Sequence, residues 1–192
     1  AFGGTVDFSA ATVNGLPAGA TGLESGTGTS SMQSAASLTA TAAIASGSNS
    51  IALGDSAQAL SASGIAIGNN SNAWFTAVAI GSSARCVNSQ EAIAIGQAAT
   101  CTTTRAIAIG SQSDATATSA IALGYFAQAT ATGAVALGTA VTAATDNTTT
   151  VNLLQIAGYA GMNYPDDPTA ATGGIPLGGV YHTDGALKIR IT

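Results

Sequence analysis

His182 is the one histidine in the sequence, and it stands in the alternating stretch Val180-Tyr181-His182-Thr183. A general base needs an orienting partner, and a metal centre needs further ligands. With no second imidazole in the chain, His182 reads as a strand residue. Asp166 and Asp167 offer the hard oxygen ligands that Ca²⁺ takes, but between Pro165 and Pro168 aspartates more often form a solvated turn. Glycoside hydrolysis needs two carboxylates facing one cleft, whereas Asp55, Glu91 and Asp114 fall in separate repeats. The residues therefore predict no catalytic, cofactor-binding or metal-binding site, and no enzyme.

Two cysteines, Cys86 and Cys101, occupy one slot in consecutive repeats, a slot that alanine fills elsewhere. Stacked strands would bring their Cα atoms to about 5 Å, within disulfide range. Parallel neighbours in register orient badly for that bond, so small buried free thiols are the favoured reading. Two cysteines do not make a structural zinc site. Surface aromatics are more informative: Trp74 and Phe75 follow a strand, and Phe126 takes a polar slot beside Tyr125. Such rings stack on sugars or anchor protein partners; packing against a neighbouring subunit or turn is the competing reading. With Tyr159, Tyr164 and Tyr181 they form the candidate partner-contact set. A threonine row, Thr116/Thr118 and Thr130/Thr132, is too short for an ice-binding face.

What positions these residues is a repeat. Ile51-Ala52-Leu53-Gly54 returns as Ile65-Ala66-Ile67-Gly68, Val78-Ala79-Ile80-Gly81 and Ile93-Ala94-Ile95-Gly96. It continues as Ile107-Ala108-Ile109-Gly110, Ile121-Ala122-Leu123-Gly124 and Val135-Ala136-Leu137-Gly138. The closing glycines are spaced 14, 13, 15, 14, 14 and 14 residues apart, so the chain holds seven copies of one unit. Each copy opens with a period-two strand. The glycine supplies a turn, and small residues follow at its third and fifth positions, as in Ala57/Ala59, Ser71/Ala73 and Val141/Ala143. Polar residues such as Gln58, Asn72 and Gln112 intervene.

Fourteen residues suit one coil of a flattened parallel β-solenoid with two strands of about five residues and two turns. Coils stacked at about 4.8 Å make seven of them a rod roughly 30 Å long. Only one face of the first strand can enter so narrow an interior. If the alanines fill it, Ile51, Leu53, Ile65, Ile67, Val78, Ile80, Ile93, Ile95, Ile107, Ile109, Ile121, Leu123, Val135 and Leu137 form an outer stripe. Burying each such side chain is worth roughly 1.5–3 kcal/mol, so a stripe of fourteen predicts self-association.

Composition agrees with a repetitive build. Charged residues are 7% of the chain, against roughly 25% in ordinary domains. The net charge of -5, with only Arg85, Arg105, Lys188 and Arg190 as bases, leaves no basic patch for nucleic acid. No apolar run approaches the length of a membrane helix, so no membrane insertion is expected.

The repeats resemble the head units of YadA-like trimeric autotransporter adhesins, which read approximately A-[IV]-A-[IL]-G-x-x-A-x-A. The resemblance covers about residues 43–145. It implies an all-β, left-handed parallel β-roll and a homotrimer with rolls side by side. The family's membrane anchor, long amphipathic strands ending in an aromatic residue, is not found in these residues. The last segment, Pro176-Leu177-Gly178-Gly179-Val180-Tyr181 to Ile191-Thr192, is similar to the ends of fibre proteins of tailed phages. Together these favour a virion fibre or decoration protein over a bacterial surface adhesin head, with the virion surface as the expected location and the bacterial cell surface as the alternative.

The flanks complete the layout. Residues 1–42, with an extended candidate from Thr5 to Val13, are expected to be the docking segment toward other virion proteins. Residues 146–192 are expected to form a small β-domain or cap. Val151 to Ala157 reads there as a strand, and Asp184-Gly185 as the loop of a hairpin. This non-repeating, tyrosine-bearing end is the expected place for contact with a host surface glycan or protein.

Overall fold

The computed structural model describes residues 23–34, 41–152 and 159–191. The chain divides into two compact units, Ala1–Asn152 and Leu153–Thr192. The first is a parallel β-solenoid of two sheets. One sheet has ten strands, running from Leu23–Ser25 and Met32–Ser34 through the seven Ile/Val-Ala-Ile/Leu strands to Thr149–Val151. All its pairings are parallel except the first, where Leu23–Ser25 runs antiparallel to Met32–Ser34. The second sheet stacks eight two-residue strands, from Ile44–Ala45 to Thr142–Ala143, in parallel.

Register follows the sequence repeat. Ala52 lies opposite Ala66, Ala94 opposite Ala108, and Cys86 opposite Cys101. The alanines of the first sheet and the small residues of the second meet in the interior at essentially zero exposure. Interior space this thin admits a methyl, a thiol or a hydroxyl through most of the roll, so Ser and Ala interchange at the third position after the glycine, and Val141 fills it only in the last coil. Where serine stands there, its hydroxyl donates to the carbonyl three residues back. Ser71 reaches Gly68 at 2.8 Å and Ser113 reaches Gly110 at 2.9 Å, so the buried polar atom is satisfied.

The turns shorten the strands. Three-residue and two-residue strands replace the expected five, because each coil bends twice through residues with positive φ. The closing glycines lie between +124° and +136°, a region L side chains resist. Two positions on, Ser56, Asn70, Ser83, Ala98, Gln112, Phe126 and Ala140 take φ of +54° to +59° although none is glycine. A Cβ on Gly54 would also lie 2.7 Å from the Gly68 carbonyl carbon. Each coil's glycine thus rests on the backbone of the next.

The ladder also reaches beyond residues 43–145. Met32–Ser34 pairs with Ile51–Leu53, and Thr149–Val151 pairs with Val135–Leu137. Neither of these strands carries the repeat's signature. Pairing there is by backbone hydrogen bonds, joined at Met32–Ser34 by side chains: the Ala45 N–H donates to Gln33 Oε1 and the Gly54 N–H to Ser34 Oγ, each at 3.0 Å. The expected strand at Val151 to Ala157 ends at Val151 where it is described, and its remainder from 153, like Thr5 to Val13, lies outside the described residues.

The second unit contains a short 3₁₀ turn, Tyr159–Met162, an α-helix, Asp167–Thr172, and the antiparallel hairpin Val180–Thr183 with Ala186–Ile189 around Asp184-Gly185. The helix was not expected. Asp166 caps it, accepting from the Thr169 N–H at 2.9 Å and from the Thr169 hydroxyl at 2.6 Å, and Pro168 stands in the first turn. An aspartate followed by proline is a helix-start signal, one that the flanking prolines had made look like a plain turn.

Candidate interaction surfaces

The outer face of the first sheet carries the aliphatic stripe. All fourteen side chains are half-buried or exposed, while the alanine between each pair is buried. Ile95, Ile109 and Leu137 are 37%, 39% and 47% exposed. Those values decide the facing of the strands: alanine points in and the branched aliphatics point out. The roll alone leaves this hydrocarbon in water.

Apart from Ile44 at its end, the outward column of strand residues on the second sheet is polar. Parallel register stacks it as Gln58, Asn72, Arg85, Thr100, Asp114, Gln128, Thr142. Burial raises the carboxyl pKa of Asp114, and its Oδ1 has no hydrogen-bond partner. Sequence periodicity had assigned this column to solvent, but it gave no sign that Ser56, Gln58, Asn70, Asn72, Ser83 and Arg85 line a common depression.

The aromatic residues divide between the units. Phe75, Tyr125 and Phe126 are exposed, and the rings of Tyr125 and Phe126 meet edge to face with centroids 4.5 Å apart. Trp74 is half-buried. Tyr181 departs from its expected place at the surface: it is 3% exposed, its hydroxyl donates to Asp167, and its ring lies 6.5 Å from that of Tyr164. The bond to Asp167 pushes the Tyr181 phenol up to about 12. Its position in the first hairpin strand directs it into the terminal unit, so it packs that unit and offers no ring to a partner.

Asp167 also accepts from the Ile191 N–H at 2.8 Å, so both aspartates of the Pro-Asp-Asp-Pro stretch serve the fold of the terminal unit. Asp166 is held below the usual carboxylate range by its bonds from Thr169. His182 is a buried strand residue whose Nδ1 accepts from the Gly185 N–H at 3.2 Å, closing the hairpin loop. Among the described residues no three His, Cys, Asp or Glu side chains gather as metal ligands would. Cys86 and Cys101 are free buried thiols. Their Sγ–H groups reach the Val78 and Ile93 carbonyls at 3.3 and 3.2 Å. Cys86 beside it, and then burial, raise the Cys101 thiol pKa far above that of a reactive cysteine.

An alanine-cored solenoid with one aliphatic flank and one polar flank defines a structural repeat protein. The YadA head domain repeat family matches residues 45–71, 88–113 and 115–140. The roll is thus built of YadA-like head repeats, which point to an adhesin-like, surface-exposed structural role and to self-association. The unmatched stretch 72–87 falls where the glycine spacing departs from 14. No curated protein matches the chain.

Proposed function

We propose that this chain is one subunit of a homotrimeric surface fibre and has no enzymatic activity. The observation that carries this reading is the stripe of fourteen aliphatic side chains on the outer face of the first sheet. Three rolls packed side by side would cover it, as the resemblance to trimeric adhesin heads implies. At roughly 25 cal/mol per Å² of apolar area removed from water, covering the stripe would favour association.

Within that class we assign the chain to a virion, as a fibre or decoration protein of a phage particle. The similarity of Pro176–Thr192 to phage fibre ends supports this assignment. Residues 1–42 would dock to other virion proteins, and the terminal unit would contact a host surface glycan or protein. The head repeats themselves favour a second reading, a bacterial surface adhesin head. Antibodies raised against the purified chain decide between them. Labelling of purified phage particles by electron microscopy supports the virion, whereas labelling confined to uninfected bacterial envelopes overturns it.

A further inference from the structure

The outer face of the second sheet carries a polar depression spread over three consecutive coils. Ser56, Gln58, Asn70, Asn72, Ser83 and Arg85 line a shallow depression of about 390 Å³. Gln58, Asn72 and Arg85 stack in one column. Just past the ends of these strands stand Leu60, Trp74 and Val87. Their N–H groups bond to the carbonyls of Ala73, Cys86 and Cys101 in the next coils. Burial goes on alternating past the strand end, with Ser71 and Ala73 buried and Asn72 and Trp74 half-buried, so Trp74 continues the outer face that carries Asn72 and Arg85.

Several groups in this patch have no partner. Arg85 is exposed, and while its N–H donates to the Ala99 carbonyl at 2.8 Å, its guanidinium makes no hydrogen bond or ion pair among the described residues. Asn72 Nδ2 donates to Gln58 Oε1 at 3.0 Å, but Asn72 Oδ1 is left without a donor. Trp74 Nε1 is likewise without an acceptor. The patch coincides with the 13- and 15-residue spacings, the one irregularity in the repeat.

We infer that this patch binds a carboxylate-bearing sugar, a uronic or sialic acid residue of a surface glycan. The Arg85 guanidinium matches a carboxylate with two parallel N–H donors. Asn70, Asn72 and Gln58 supply amides for ring hydroxyls, and the buried Oδ1 of Asn72 is an acceptor left unmet there. Trp74 gives an apolar surface for one face of the sugar ring. With Arg85 as the one cation lining the depression, on a chain of net charge -5, the patch suits a singly charged anion better than a phosphate dianion. The nearest acidic group in the column, Asp114, is two coils from Arg85, roughly 10 Å by strand spacing. Asp55 stands on the turn beside Ser56. The patch is on the sheet opposite the aliphatic stripe, so this site goes beyond the trimer reading and does not depend on it.

Trp74 is the sole tryptophan of the chain, so its fluorescence reports on the patch directly. The full chain is titrated with sialyllactose, with tetragalacturonate and with neutral lactose. One of the acidic sugars is expected to change the emission saturably, with a Kd on the order of 1 mM for so open a site, while lactose leaves it unchanged. Which acidic sugar saturates distinguishes sialic from uronic acid. Arg85→Gln should weaken binding by about tenfold or more, and Arg105→Gln should leave it unaltered. The inference is overturned if neither acidic sugar saturates by about 10 mM, if lactose binds equally well, or if Arg85→Gln binds as the parent does. Light scattering on the same samples reads the oligomeric state separately.

Discussion

Ile95 lies directly beside Ile109 in the parallel ladder, and both side chains stand on the outer face of the roll, 37% and 39% exposed. Their neighbours Ala94 and Ala108 are also paired and fully buried. One residue step along a strand therefore separates an interior made of methyl groups from an exterior made of larger hydrocarbon. That inversion of the usual order leads to the first expected outcome. Light scattering at micromolar concentration should report three times the 18.4 kDa chain mass. A persistent, well-folded monomer would remove the basis for association through the stripe.

Ile95→Asp should abolish assembly, because it places an unpaired charge where the subunits would meet. Gln112→Asp adds the same charge at an exposed turn position with φ of +58°, which aspartate tolerates. Size-exclusion chromatography of the two variants compares the faces directly. Equal assembly by both would show that the first sheet does not form the interface.

The glycine turn sets a second contrast. Gly96 has φ of +134°, and an added Cβ would lie 2.6 Å from the Gly110 carbonyl carbon. Gly96→Ala should cost at least about 2 kcal/mol through combined strain and steric overlap. Two residues on, Ala98 already has φ of +55°, so Ala98→Gly relieves a left-handed conformation and should stabilise by a few tenths to about 1 kcal/mol. Urea midpoints read both changes, and the two substitutions should move them in opposite directions.

Asp114 gives the roll a pH dependence. Burial raises its folded-state pKa above the unfolded value, so the folded chain holds the proton more tightly. Its contribution is most favourable below the unfolded pKa, about 4, and is lost as pH rises through the folded value. Asp114→Asn should therefore raise the urea midpoint at pH 7, and the advantage should shrink toward zero as pH falls below about 4. An advantage that is constant with pH would show that the carboxyl's ionisation is not its cause.

The repeating part of this fold was legible because one short motif controls it. The alternation in Ile93-Ala94-Ile95 gives both the inward and the outward face, and the shared slot of Cys86 and Cys101 gives their register as free thiols. The hairpin around Asp184-Gly185 was likewise marked by its loop residues. Elsewhere local sequence was a weaker guide. Met32–Ser34 and Thr149–Val151 join the ladder by backbone pairing without the repeat's motif, with Gln33 and Ser34 also accepting from the N–H groups of Ala45 and Gly54. The left-handed residue after each glycine turn is Ser, Asn, Ala, Gln or Phe, since the coil's closure imposes the conformation whatever side chain is present. The depression around Asn72 and Arg85 depends on three consecutive coils, so no single repeat reveals it. Tyr181 looked like a surface ring because its partners, Asp167 and Tyr164, lie 14 and 17 positions away in the chain.

An interior of alanine methyls has a thermal consequence. Alanine has no side-chain rotamers to freeze, so closing this core costs little side-chain entropy. It also hides little hydrocarbon, and the heat-capacity increment of unfolding grows with the hydrocarbon withdrawn from water. The isolated roll should therefore have a shallow stability curve, changing slowly between cold and warm conditions. Most of the curvature in an assembled fibre would come from isoleucine, valine and leucine meeting between chains, so temperature would act chiefly on association and much less on the coils themselves.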